Sequence, residues 1–276
     1  MSNEPPLPPA SPMTVARSGT SRRGVVPTGP TDTVVMVNGD LRTAPTWMDA
    51  VLAVQPMPPI ESIVIAAAVA AAGVLMPGLW PRTRHLLTIA HEGGHALLAL
   101  LTGRRLAGIR LHSDTSGLSV SVGRPAGIGM ILTLAVGYLT PSVLGLAAAA
   151  TLATGRVTAM LWGTLLLLAG VLLQIRNFFG LGLLIVTGGI VLAVSYWAPA
   201  DVQALFGYLL AWFLLLGGVR PVLELARARR SARARTSDAD QLARLTRVPA
   251  VVWVLLFLVG TVAIAVLGAR LLLAGT

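Results

Sequence analysis

The sequence predicts an α-helical polytopic membrane protein with about seven transmembrane helices and a short β-hairpin after the second. Three observations carry this. Mean hydropathy is +0.77 with only 12% charged residues, about half the share of an ordinary soluble domain. The apolar residues fall in long runs, and a membrane span needs about 20 of them. The arginines segregate between alternate loops, as they do when positive charge sets membrane topology.

The chain has 276 residues and a formal net charge of +10, and every basic residue is Arg. It holds no Cys. That excludes a disulfide, a Cys-ligated zinc, an iron–sulfur cluster and a thiol nucleophile. A metal site must use His, carboxylate or amide ligands.

Residues 1–59 hold eleven of the eighteen prolines, mixed with Ser, Thr and Gly. Such a segment buries too little apolar surface to offset its ordering entropy. It is expected to be a disordered cytoplasmic tail with no signal-peptide pattern. Within it, Val34–Val37 reads as a short strand and Trp47–Val54 as a short amphipathic helix. Residues 60–276 form the membrane domain.

The first apolar run is Ile60 to Trp80, and the second is His85 to Thr102. The stretch Gly103 to Arg124 alternates apolar and polar residues around Asp114-Thr115-Ser116-Gly117, which reads as a β-hairpin. The third run, Ile128 to Thr154, contains Pro141, which is expected to kink it. The fourth is Val157 to Ile175, the fifth Leu181 to Trp197 and the sixth Val202 to Val219. A basic loop, Arg220 to Arg247, precedes the seventh, Val251 to Leu273. With a cytoplasmic N-terminus, 17 of the 21 arginines fall on the inner side. Arg82, Arg84, Arg156 and Arg270 then lie on the outer side. Trp80, Trp197 and Trp253 sit near span ends, where interfacial aromatics belong.

The second run contains His91-Glu92-Gly93-Gly94-His95, an H-E-x-x-H pattern. On a helix, positions i and i+4 share a face, so both imidazoles reach one metal ion. Zinc lowers the pKa of a bound water to about 7. Glu92 is then placed to accept the water proton and deliver it to the leaving amine. Ionisable residues inside a bilayer are costly and mark functional sites. A water-using site at this depth needs a hydrated cavity. Gly93 and Gly94 leave room for a substrate backbone, or for close helix packing.

The stretch Leu86-Leu87-Thr88-Ile89-Ala90-His91-Glu92-Gly93-Gly94-His95-Ala96 in a membrane helix resembles the site-2 protease group of intramembrane zinc metallopeptidases. The following hairpin, with Gly103-Arg104-Arg105 and Ser113-Asp114-Thr115-Ser116-Gly117-Leu118, resembles the compact bacterial branch of that group. The similarity covers roughly residues 60–275. It implies Zn²⁺ held by His91 and His95, Glu92 as general base, and hydrolysis of peptide bonds in transmembrane protein substrates. It also implies a third ligand from a later helix, usually Asp in an L-D-G pattern. That pattern is absent here. By order, Asn177 in Arg176-Asn177-Phe178-Phe179-Gly180 occupies the corresponding place. The alternatives are Asp238 and Asp240, which equally suit the first turn of a capped helix.

Remaining polar groups are read as follows. His85 is an interfacial side chain, and His112 and Asp114 belong to the hairpin turn. Tyr138 and Thr140 line a cavity or pack between helices. The hairpin edge suits strand addition by an unwound substrate. The Arg-rich stretch Arg227–Arg235 has no aromatic interleaving, so it fits anionic headgroups of the lipid bilayer and no nucleic acid. The expected protein is a cell-membrane zinc metallopeptidase. The alternatives are a catalytically inactive scaffold of the same fold and, last, a metal transporter, for which spans five to seven offer almost no polar path.

Overall fold

The structure is a computed structural model that describes residues 34–37, 40–43, 47–230 and 236–274. The expected disordered tail falls largely on residues 1–33, which lie outside the described ones, as do residues 231–235 of the Arg-rich stretch. The chain divides into two units, 1–46 and 47–276. In the first, β1 (Val34–Val37) pairs antiparallel with β2 (Asp40–Thr43). The strand expected at Val34–Val37 is therefore present.

The second unit opens with α1 (Trp47–Leu52), the short helix expected there, and α2 (Ile60–Leu75). Next comes α3 (Trp80–Leu101), which Pro81 starts in its first turn. Gly103, with φ +74°, ends it in the left-handed conformation that suits glycine. The expected hairpin follows as β3 (Arg105–Leu111) and β4 (Gly117–Val122), antiparallel with a register shift between Leu106 and Gly108. The third run splits into α4 (Ile128–Val136) and α5 (Thr140–Ala153), with Pro141 in the first turn of α5. Then come α6 (Val157–Leu172), α7 (Phe178–Trp197) and α8 (Ala200–Arg230). The short α9 (Asp238–Thr246) and α10 (Ala250–Leu273) complete the unit.

Every apolar run is helical, and among the described residues three to five helices or helix pairs qualify as membrane spans, with shorter apolar helices beside them. By length and composition α7, α8 and α10 each suffice to cross a bilayer. The pair α2–α3 is bent by 99° and the pair α4–α5 by 68°, so each reads as one broken or re-entrant span, giving up to five. The shorter apolar α6 is additional. The first bend lies at Met76–Leu79, where Pro77 and Gly78 break the helix. The chain turns there through roughly a right angle.

The same break overturns one expected placement. Arg84 was expected on the opposite side of the membrane from the loop that begins at Arg220. It pairs instead with Glu224 of α8 at 3.4 Å. Glu224 also binds Arg220 at 3.2 Å, and the Arg220 guanidinium lies 4.3 Å over the Trp80 ring. Arg220 further donates to the Val74 carbonyl at the end of α2. These contacts fix the start of α3 beside the C-terminal half of α8.

The largest core packs α2, α5, α8 and α10 together around Ile63, Leu152, Tyr208 and Leu215. Small residues permit the close approach. A Cβ on Gly145 would lie 2.9 Å from the Leu215 backbone nitrogen, the packing expected where lipid supplies no hydrophobic drive between helices. Leu166, Ile185 and Val259 remain exposed on the outer faces of α6, α7 and α10, as lipid-facing residues do. A second cluster joins α4, α8, α9 and α10 through Leu134, Val222, Leu242 and Phe257. A third joins α3, β3 and α7 through Ile89, Ile109 and Leu184. Between them these clusters hold the elements that build the candidate site.

Candidate metal centre

His91 and His95 sit one turn apart on the same face of α3. Their Nε2 atoms lie 3.0 Å apart. Asp238 Oδ2 approaches from α9, 3.3 Å from His91 Nε2 and 3.2 Å from His95 Nε2. These are the residues that bring three metal-ligating atoms together among those described. Ligands about 2.0–2.2 Å from a tetrahedral zinc lie about 3.4 Å from one another. The observed separations of 3.0, 3.2 and 3.3 Å are each somewhat shorter than that spacing.

The local hydrogen bonds prepare these atoms for a cation. His95 Nδ1 donates to the Thr133 carbonyl at 2.6 Å. A carbonyl only accepts, so the proton of a neutral His95 is on Nδ1 and the Nε2 lone pair faces the cluster. His95 is only 7% exposed. His91 is oriented by an edge-on contact with Tyr138, whose ring stacks on Phe257 of α10. Lone pairs of two imidazoles and a carboxylate converging at about 3 Å repel one another unless a proton or a cation lies between them. The donor set, two imidazoles and one carboxylate, is one that zinc accepts with a fourth position left open.

Asp238 reaches the cluster because of how α9 begins. Ser237 is its N-cap, and Ser237 and Asp240 form a capping box. Asp240 Oδ2 accepts from the Ser237 hydroxyl at 2.6 Å and from its backbone N–H at 3.2 Å. Its other oxygen takes the Arg229 guanidinium. Asp240, offered as an alternative ligand, is therefore committed to the cap. Asp238, one residue into the helix, points inward beside buried Ala239 and Leu242. Burial by itself would raise the Asp238 pKa. Without a metal ion, hydrogen bonds and charge from His91 and His95 in their protonated forms outweigh it and hold the group well below the usual carboxylate range. The helix N-terminus adds to the preference for the anion.

Asn177, the first candidate by order, takes a different place. Its Oδ1 accepts from the Leu111 N–H at 3.2 Å, and its Nδ2 donates to the Leu111 carbonyl at 2.6 Å. The side-chain amide thus imitates a strand partner at the end of β3. Just before it, Ile109 donates to the Gln174 carbonyl at 2.8 Å and accepts from the Arg176 N–H at 2.9 Å. Residues 174–177 close the outer edge of β3, which leaves β4 as the edge strand of the hairpin.

Glu92 is 5% exposed and lies under the start of β4. A Cβ on Gly117 would come within 2.5–2.8 Å of Glu92 Cγ, Cδ and Oε1. The hairpin is held there by two bonds to α3. Thr88 donates to the Thr115 carbonyl at 2.9 Å, and Ser119 donates to the Glu92 carbonyl at 3.0 Å. The hairpin-turn readings of Asp114 and His112 agree with bonds from Ser116 to Asp114 and a contact of Ser116 with His112. His85 contacts Phe179 of α7 at 5.5 Å between rings. The glycines of the motif serve packing first. The space beside Gly94 is filled by Thr140 of α5, and a Cβ on Gly93 would meet Val171 at 3.1 Å.

Three further positions shape the site that the sequence does not mark as site residues: Thr133, Gly137 and, known there only as part of the hairpin turn, Gly117. Gly137, at the break between α4 and α5, lies flat against both imidazoles. A Cβ there would come within 2.8 Å of His91 Cε1 and closer still to His95. Its φ of −49° suits any residue, so the demand is for space alone. Gly137→Ala is therefore expected to displace both rings and to lower zinc affinity at least about 10-fold, by disturbing the ligand orientation on which affinity depends. Gly117→Ala is expected to leave the three converging ligand atoms in place and to displace Glu92 alone. Zinc binding by the two purified variants checks this pair: a Gly137→Ala protein that takes up zinc as the wild type does, or a Gly117→Ala protein that does not, would contradict it.

A family model described as Peptidase M50B-like matches residues 64–268. The match runs from α2 into α10 and includes His91, Glu92, His95 and Asp238. The chain belongs to that family. No curated protein and no solved structure matches it.

Proposed function

From that membership we propose that the protein is an intramembrane zinc metallopeptidase that hydrolyses peptide bonds of membrane-protein substrates. The observation that carries the reading is the meeting of His91, His95 and Asp238 beside Glu92. His91 and His95 hold the ion from α3, and Asp238, in place of Asn177, supplies the third ligand. An ion held there supplies a Lewis acid and lowers the pKa of a water molecule to about 7. Glu92 takes up a proton from water and returns it to the leaving amine nitrogen. Burial keeps its carboxylate away from bulk solvent. Thr133 keeps His95 in the ligating tautomer, and the Tyr138–Phe257 stack holds the His91 ring.

The substrate must present an extended segment, because a helix hides its peptide bonds. The β4 edge, with the β3 edge already paired, supports strand addition there. Zinc analysis of the purified protein tests the reading. About one zinc per chain is expected, lost from a His91→Ala, His95→Ala double variant. A wild-type protein prepared with zinc present and holding none would overturn it.

A further inference from the structure

The ends of the membrane helices are matched by direct contacts at two levels. At one level, the Gln55 N–H donates to the Gly155 carbonyl at 2.8 Å, and the Gln55 side chain donates to Thr158 at 2.8 Å. Gly207, early in α8, faces Leu152 and Val157 there. The Gln203 side chain donates to the Ala198 carbonyl at 3.0 Å, which puts the end of α7 at that level too. At the other level, Val74 meets Arg220 and Arg84 meets Glu224. Ser142, in the first turn of α5, lies against Gly218. Ala250, which opens α10, packs with Val222 and Leu225. His85 meets Phe179 at the start of α7, and the Gln174 carbonyl at the end of α6 meets Ile109.

The path of the chain follows from these pairs. The helix α2 runs from the first level to the second. The helices α3 and α4 leave from and return to the second. Then α5, α6, α7, α8 and α10 alternate. Merging the first two apolar runs into one crossing moves Arg82 and Arg84 to the second level. There they join Arg176, Arg220, Arg227, Arg229, Arg244 and Arg247, while Arg156 and Arg270 stay at the first. By the positive-inside rule the second level is cytoplasmic.

We infer that residues 54–59 lie on the extracytoplasmic face, opposite the His91–His95–Asp238 cluster. This reverses the cytoplasmic placement expected for the segment before α2. That placement depended on counting residues 60–80 and 85–102 as two crossings. It does not depend on zinc or on catalysis. A partner that engages the residues just before α2 does so from the side away from the metal centre, so the segment cannot act as a cytoplasmic plug over it.

The absence of native Cys makes the test clean. Single-cysteine variants Met57→Cys, Thr154→Cys and Arg244→Cys, all at exposed positions, are treated with a membrane-impermeant maleimide. The labelling uses right-side-out and inverted membrane vesicles. Met57→Cys and Thr154→Cys are expected to label in right-side-out vesicles, and Arg244→Cys only in inverted ones. Pro56→Cys replaces Met57→Cys if the latter fails to accumulate. Labelling of the position before α2 together with Arg244→Cys would overturn the inference. So would labelling of Arg244→Cys from outside.

Discussion

Asp238→Ala is expected to strip the protein of zinc and of cleavage together. The carboxylate is the single negative charge among the three converging ligand atoms. Its removal leaves two imidazoles that bring no charge to the ion. Loss of an outer-shell partner alone costs about 10–100-fold in metal affinity, so loss of this ligand is expected to exceed about 100-fold. The control is Asn177→Ala. It breaks the amide pair with Leu111 and loosens the hairpin, so cleavage falls while zinc stays. Asp240→Ala is also expected to retain zinc, with about 1 kcal/mol lost from the α9 cap. Metal analysis of the three variants after equal purification decides. Zinc retained in Asp238→Ala and lost in Asn177→Ala would reverse the ligand assignment.

The second large effect is expected at Glu92. Glu92→Gln preserves the shape and burial of the side chain and its packing against Gly117. It removes the capacity to take up a proton. Positioned acid–base catalysis contributes about 10²–10⁴-fold, so cleavage of a co-expressed single-span membrane protein should fall by that factor or below detection. Zinc content should stay at the wild-type value, because Glu92 is not one of the converging ligand atoms. Wild-type cleavage by a zinc-loaded Glu92→Gln protein would remove Glu92 from the mechanism.

What could be read in the sequence was what is local. His91 and His95 are four residues apart, and helix geometry alone puts them on one face. The helical runs and the hairpin are likewise periodic signals within short windows. The proposed third ligand, Asp238, lies well over a hundred residues further along, and the packing of α9 against α4, α8 and α10 brings it in. Asp238 was legible as half of a choice. Ser237-Asp238-Ala239-Asp240 reads as a helix start, and it is one. The cap uses Ser237 and Asp240 and leaves Asp238 free to turn inward. The segment is a helix start, and one of its two carboxylates also meets the two imidazoles.

The number of crossings was not legible, because hydropathy reports burial in lipid and not direction. Pro77-Gly78 breaks the helix in either case. The 99° bend and the contact of Arg84 with Glu224 distinguish a right-angle turn from a reversal. Gly137 and Gly117 could not be found either. Their function is to have no side chain where a ring or a carboxylate lies, and that need arises only from elements brought together by the fold.

The most direct measurement places the purified wild-type protein in lipid vesicles with a single-span membrane protein substrate. Cleavage is followed before chelation, after chelation and after zinc is restored. Cleavage that stops on chelation and returns with zinc is the predicted result. A protein that binds zinc through His91, His95 and Asp238 yet cuts no substrate, or one that cuts equally well without the metal, would contradict a zinc metallopeptidase.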